Sequence, residues 1–321
     1  MPISSIASTL RYWWWLISQN FPSASRFNVE QIPDLSGRVI IVTGGNAGIG
    51  KETVKVLLQH NATVYMAARN RHKAEKAINE IKDSIGKEAI FLELDLADFV
   101  SIRRAAKEFL SKESELHILF NNAGVMFSPV EQLTAQGYDM QFGTNVIGHF
   151  LFTHLLIPAL LAGKETSPDG YSRIITTTSS MSYLSTIDYD TIRDGLKRRQ
   201  RGVNLYCQSK FANIVVALEY ARRYGDKGIL SFSCHPGSIN TDLHSSVASW
   251  QRKILIAILF HSVSMGALTQ LYAGTMTEPI QNNGQYYIPW ARKGRCRDEA
   301  YEPQVGKQLW DYLMEHIEDR C

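Results

Sequence analysis

The sequence has little cysteine, little net charge and only short aromatic or aliphatic runs at 12–18 and 253–260. Its four cysteines, Cys207, Cys234, Cys296 and Cys321, are scattered through 321 residues without Cys-x-x-Cys or Cys/His ligand spacing. That pattern excludes a disulfide framework, fits a reducing compartment and predicts no metal site. The formal net charge is only +3, too mild for a nucleic-acid partner. The densest basic run, Lys197-Arg198-Arg199-Gln200-Arg201, reads as a solvated loop. A spanning helix needs ~20 apolar residues, and the stretches 12–18 and 253–260 fall well short. A secretory signal needs a longer aliphatic core and a small-residue cleavage site. Internal repeats and low-complexity linkers are also missing, which leaves one domain as the simplest organisation.

What is present is ordinary globular composition, 45% hydrophobic and 20% charged. A chain of ~300 residues buries roughly three quarters of its unfolded surface, so its core needs no staple. From about residue 38 strands and helices alternate. Short β-branched or apolar runs at 38–42, 63–68, 89–94, 116–120, 173–178 and 229–233 predict strands, with a seventh at 286–288. The intervening segments 50–59, 72–84, 99–112, 140–161 and 206–224 predict helices. Strands joined through single helices must pair in parallel, with helices on both faces. Right-handed crossovers then give an α/β, doubly wound parallel sheet of about seven strands, a single-domain Rossmann fold. Residues 1–37 read as an aromatic-rich extension, 38–300 as the catalytic domain with a helical substrate-side insertion near 242–265, and 301–321 as a helical tail.

The extension carries Tyr12-Trp13-Trp14-Trp15-Leu16-Ile17. Trp and Tyr favour the headgroup region of a bilayer, so one reading is a peripheral membrane contact or a flap over an apolar site. The other is a helix packed on the domain. Cytoplasm is the default location, with the endoplasmic reticulum or lipid droplets as surfaces for peripheral contact.

The first strand runs into Thr43-Gly44-Gly45-Asn46-Ala47-Gly48-Ile49-Gly50. A strand that turns sharply into a helix and brings its backbone against a pyrophosphate needs glycine. The helix beyond offers free N–H groups and a partial positive charge. A glycine cluster between a strand and a helix therefore predicts a dinucleotide site. The second strand ends Ala67-Ala68-Arg69-Asn70. NAD sites usually place an acid there for the ribose hydroxyls. Arg69 suits a 2′-phosphate instead, so NADP(H) is preferred over NAD(H).

Asp95-Leu96, Asn121-Asn122-Ala123-Gly124, Asn145, Ser179-Ser180, Tyr206-Cys207-Gln208-Ser209-Lys210 and His235-Pro236-Gly237 follow in order. With the glycine motif, this set resembles the short-chain dehydrogenase/reductase family, in particular its branch of retinol dehydrogenases and similar fungal enzymes. The resemblance covers about residues 36–290. It implies dinucleotide contacts from Gly44, Asn46, Gly48, Ile49 and Gly50, and from Asp95 and Leu96 at adenine. It implies Asn121, Ala123 and Gly124 along the adenosine ribose, and Pro236, Gly237, Ile239 and Thr241 on the nicotinamide side. Asn145 would hold a water that links Lys210 to solvent. A basic residue often precedes the second motif glycine in NADP-using relatives; Ala47 stands there, so the NADP expectation leans on Arg69.

Tyr206 and Lys210 stand four apart on a predicted helix and share a face. A free phenol has a pKa of about 10, and a nearby cation lowers it. The oxidised nicotinamide ring adds a second positive charge, and reaching about 7 takes roughly 4 kcal/mol from the two together. Tyr206 is thus the expected general acid/base, and Lys210 also binds the nicotinamide ribose by the resemblance. Ser180, at a strand end, is the expected donor to the substrate oxygen; Ser179 competes, and the family pattern favours the second serine. The 26 residues from Ser180 to Tyr206 exceed the spacing of many relatives, which predicts an extra loop over Tyr189–Arg201. His149, His154 and His235 read as packing or surface residues. Met126, Phe127, Met181, Tyr183, Leu184, Leu243, Val247 and Trp250 suit a lipophilic alcohol or carbonyl. A homodimer is consistent with the resemblance. Two rivals stand beside this reading: a catalytically silent cofactor-binding regulator, and an epimerase or dehydratase acting on a nucleotide sugar.

Overall fold

A computed structural model of the chain describes residues 12, 15, 18, 19, 22–239 and 261–318. Trp13, Trp14, Thr241, Leu243, Val247, Trp250, Cys321 and most of the expected 242–265 insertion lie outside the described residues.

Eight strands form one sheet: β1 (Val39–Thr43), β2 (Thr63–Ala68), β3 (Ile90–Glu93), β4 (Ile118–Asn121), β5 (Ser172–Thr177), β6 (Ile229–Cys234), β7 (Tyr286–Ile288) and β8 (Arg292–Gly294). Their spatial order is β3-β2-β1-β4-β5-β6-β7-β8. All neighbours pair in parallel except β7 and β8, which are antiparallel. The doubly wound Rossmann sheet expected from the sequence is therefore present, with an eighth strand added at the edge. That strand is only three residues of Arg-Lys-Gly, too short and too polar to announce itself.

The longer helices among the described residues are α1 (Gly48–Gln59), α2 (Arg71–Ile85), α3 (Phe99–Lys112), α4 (Met140–Thr166), α5 (Val203–Tyr224), α6 (Val263–Thr275) and α7 (Pro303–Glu318), and a single helical turn, Leu196–Arg199, precedes α5. Two apolar clusters flank the sheet. On one face Val54 and Leu57 of α1, Ala74 and Ile81 of α2, and Leu268 and Leu271 of α6 pack on β1, β2 and β6. On the other, Phe109 of α3, Phe150 and Leu156 of α4, Ile214 of α5 and Leu313 of α7 close the second core. Helix α4 is long and apolar enough to cross a membrane, but 72% of its most apolar window is buried inside the domain.

Helix α6 is not legible in the sequence. From Gly266 to Thr275 it is buried all round, so that stretch has no polar face and no amphipathic period to read. Both chain ends join the same cores. Phe27, Ile32 and Leu35 pack beneath the sheet, and Trp310 of α7 stands edge-on to Phe150 and Tyr220 at 4.9 and 5.1 Å. Near the N-terminus, the buried Gln19 bridges the hydroxyls of Tyr183 and Tyr286, 2.9 Å to each.

Candidate active site

The strand order reverses between β1 and β4, and such a switch point leaves a crevice at the strands' carboxyl ends. A cleft of about 570 Å³ opens there. Its walls include Gly44, Asn46, Gly48, Ile49, Gly50, Arg69, Asp95, Leu96, Ala123 and Gly124, then Ser179, Ser180, Tyr206, Lys210, Pro236, Gly237 and Ile239. Segments far apart in sequence thus meet in one groove.

At one end lies the glycine turn. Gly44 has φ +66°, a left-handed conformation that favours glycine. A Cβ on Gly50 would come within 2.3 Å of the Gly44 carbonyl oxygen and 2.6 Å of Asn122 Nδ2. Helices α2, α3, α4 and α6 are each capped by a side chain. Helices α1 and α5 have no side-chain cap, and the first turn of α1 lines the cleft. Its N–H groups are thus left for a ligand, which fits a pyrophosphate. We predict that Gly50→Ala forces this turn open and weakens NADPH binding at least about tenfold; equal affinity in a fluorescence titration would contradict this.

Two sequence expectations shift here. Asn121 does not reach the cleft: its Nδ2 donates to Thr153 Oγ1 of α4, 2.9 Å away. Side chains alternate along a strand, and it is the next residue, Asn122, that lines the groove and donates to the Thr43 carbonyl. Asn145 also sits behind the wall. Its Oδ1 accepts from Val125 N at 2.8 Å, and its Nδ2 donates to Val125 O and Ser209 Oγ. Both amide hydrogens are therefore committed to holding the 125 segment against α5. Asn145 lies within a π turn, Gly143–Gly148, embedded in α4. The turn's loosened ladder is served by His149, whose Nδ1 donates to the Asn145 carbonyl at 3.1 Å while Nε2 meets Thr43 Oγ1 at 2.9 Å. With Nδ1 protonated, Nε2 is the ring's acceptor and shares the Thr43 hydroxyl proton with the Phe120 carbonyl, 3.2 Å from the same oxygen. Thr43 Oγ1 in turn accepts from Asn122 N and Ala123 N. Burial holds His149 neutral, with its pKa lowered to about 3.

At the far end Tyr206 and Lys210 lie side by side on α5, the Lys210 Nζ 5.7 Å from the phenol ring. Both are buried. The sequence reading expected the cation to lower the phenol pKa. That expectation counted two cations, Lys210 and the oxidised nicotinamide; for the protein chain by itself burial dominates and pushes Tyr206 up to about 12, because a shielded cleft penalises the phenolate. The same burial lowers Lys210 to about 8, and its Nζ donates to Thr177 O at 3.1 Å. Ser179 opposes the upward shift, and its Oγ accepts from Met181 N at 3.2 Å. Ser180 lines the cleft beside it.

The basic run is not a solvated loop throughout. Arg198 is only 1% exposed and pairs with the equally buried Asp139 at 3.2 Å. Arg193 lies over the Tyr138 ring at 4.0 Å. Pattern alone cannot tell one inward arginine from its exposed neighbours.

Residues 38–191 match the family model for short chain dehydrogenases. A short-chain dehydrogenase/reductase of Armillaria gallica is 55% identical over 95% of this chain and 98% of its own length. The chain belongs to the short-chain dehydrogenase/reductase family. Human retinol dehydrogenase 11 is 39% identical over 86% of this chain and 85% of its own. Among solved structures, an uncharacterised protein from Mycobacterium paratuberculosis matches with a TM-score of 0.71 and 28% identity, covering 91% of this chain and 97% of its own. A short chain dehydrogenase from Burkholderia cenocepacia, in complex with NADP, matches at 0.62 and 26%, covering 80% and 97%. This short-chain dehydrogenase/reductase is thus an oxidoreductase with fungal and retinol dehydrogenase relatives, built to use a nicotinamide nucleotide.

Proposed function

We propose that the protein is an NADP(H)-dependent oxidoreductase that interconverts an alcohol and a ketone or aldehyde on a lipophilic small molecule. The observation that carries this reading is the single groove with a glycine turn and Arg69 at one end and Tyr206, Lys210 and the serine pair at the other. The bound dinucleotide supplies or accepts the hydride. The chain's own residues manage the proton and the charge. In reduction, Tyr206 gives its phenolic proton to the substrate oxygen as the hydride reaches carbon. A phenol held neutral by burial suits a proton donor. Ser179 and Ser180 offer hydroxyls to the oxygen as negative charge grows. Lys210 holds the nicotinamide ribose and favours the phenolate once the proton has left. Asp95 and Leu96 serve adenine, Ala123 and Gly124 the adenosine ribose, and Pro236, Gly237 and Ile239, with Thr241, the nicotinamide.

Arg69 supports NADP(H) because its exposed guanidinium makes no ion pair among the described residues, whereas Arg71 nearby pairs with Glu75 and Glu93. A free guanidinium at the groove's rim is suited to a 2′-phosphate. We expect NADPH to bind at least about tenfold more tightly than NADH, a difference Arg69→Ala removes. Fluorescence titration of both nucleotides reads this directly; equal binding by wild type contradicts it. The lipophilic substrate is supported by the retinol dehydrogenase relatives and by Met126 and Met181 on the groove wall. A cytoplasmic location with peripheral contact at endoplasmic reticulum or lipid droplets, and a homodimer, belong to the same reading and are open to fractionation and sedimentation.

A further inference from the structure

Phe127 is an exposed aromatic in a conformation that costs energy. Its φ is +52°, in the left-handed region that bulky residues avoid. Its side chain is 50% exposed, and its ring centre lies 5.7 Å from that of Tyr206. An exposed, strained phenylalanine beside the proton donor needs something to hold it there.

The structure supplies a continuous hold. The Phe127 N–H donates to Gln141 Oε1 at 2.8 Å, and Gln141 is buried. The Gln141 N–H donates in turn to Asp139 Oδ1, which also accepts from Phe142 N, so that Asp139 caps α4. The other oxygen of Asp139 accepts from Arg198, whose second terminal nitrogen donates to Val130 O and Asp194. Arg198 belongs to the additional segment between the serine turn and α5. That segment is anchored at both ends of its reach. Gln208, two residues after Tyr206, accepts from Asp188 N and bonds Thr191 Oγ1. Arg193 donates to Gln136 O and Tyr138 Oη, and Asp139 N donates to Ile192 O at 2.7 Å. The segment therefore grips the 126–139 stretch from outside while tied to the helix that carries Tyr206.

We infer that the Tyr189–Arg201 segment is a specificity clamp: through Arg198, Asp139 and Gln141 it fixes the Phe127 ring as an apolar platform for the substrate beside Tyr206. Phe127 is the substrate-contacting residue, and Arg198 is a positioning residue that acts through it. The ligand class is a carbonyl compound with an extended apolar body, long enough to lie on the ring while its oxygen faces Tyr206. The inference rests on the carbonyl-reductase reading above.

The test uses the full-length protein with NADPH and straight-chain aldehydes from butanal to dodecanal. Wild type should prefer dodecanal over butanal in kcat/KM. Phe127→Ala, at an exposed position, should raise KM for dodecanal about tenfold, while kcat at saturation and NADPH affinity change less than about twofold. Arg198→Met should move the same parameter in the same direction, and Arg198→Lys less so, since one ammonium cannot serve Asp139 and Val130 O together. The double variant Phe127→Ala/Arg198→Met should be no worse than Phe127→Ala alone, because coupled residues are non-additive. Additive losses, or a fall in NADPH affinity with Arg198→Met, would show a merely structural role and overturn the inference. An unchanged chain-length preference in Phe127→Ala overturns it too. Lack of turnover by wild type across the series and across a panel of lipophilic ketones removes the carbonyl-reductase reading and the inference with it, whereas turnover of ketones alone, or normal aldehyde turnover with a flat chain-length profile, removes the inference alone.

Discussion

Tyr206→Phe should lower kcat for carbonyl reduction by about a hundredfold to ten-thousandfold, the range general acid catalysis supplies, and leave NADPH affinity within about threefold. The substitution removes one oxygen and leaves the ring in its contact with Phe127, so the loss falls on proton transfer. Steady-state kinetics with parallel nucleotide titration separates the two. A variant that keeps wild-type kcat removes Tyr206 from the chemistry. Lys210→Ala should move the pH dependence of alcohol oxidation upward by about one unit or more, since losing the adjacent cation disfavours the phenolate further; an unchanged profile counts against the pairing. Comparing Ser179→Ala with Ser180→Ala decides which hydroxyl assists. The downward influence of Ser179 on the Tyr206 phenol favours the first, the family pattern the second, and the larger loss of kcat identifies the one that works on the substrate oxygen.

Acid should destabilise the fold well before its carboxylates protonate. His149 and His235 are buried, and burial lowers both to about 3. An unfolded histidine titrates near 6.5. As pH falls below about 6.5 the unfolded chain takes up protons that the native state refuses, so stability is lost between about 6.5 and 3. It is fully present above that window. At pH 4.5 each histidine would cost about 3 kcal/mol, an order-of-magnitude figure from the linkage relation. Burial lowers His117 and His154 as well, with the same sign. Chemical denaturation at pH 7.5 and 4.5 should therefore differ by several kcal/mol, and His235→Asn should flatten part of that slope. Equal stability at the two pH values contradicts the buried neutral assignments. The cleft depends on one of these groups directly, since protonated His149 could no longer accept from Thr43, whose oxygen holds Asn122 N and Ala123 N.

The sequence carried the frame of this molecule because the frame rests on local physics. Glycines between a buried strand and a helix, and Tyr206 one helical turn from Lys210, follow from backbone geometry and period. What stayed hidden depends on the tertiary environment. Helix α6 lacks a polar face from Gly266 to Thr275 because everything around that stretch is protein. The sign of the Tyr206 shift is set by burial, which no spacing reveals. Asn121 and Asn122 are identical letters whose fates are decided by which side of β4 each occupies. Arg198 sits among other cations, yet it alone of that run turns inward to Asp139. The signal that could have found it is the surplus length between Ser180 and Tyr206, which had to pack on something.

The central claim is that this groove transfers hydride, with Tyr206 supplying the proton. NADPH deuterated at nicotinamide C4 on the transferred face, incubated with dodecanal and the wild-type protein, tests it most directly. The account predicts one deuterium at C1 of the product dodecanol for each NADPH consumed, and a rate at least about a hundredfold lower with Tyr206→Phe. Tight NADPH binding without labelled alcohol from this or any aldehyde or ketone of a lipophilic panel, or labelled product formed equally fast by Tyr206→Phe, would contradict it.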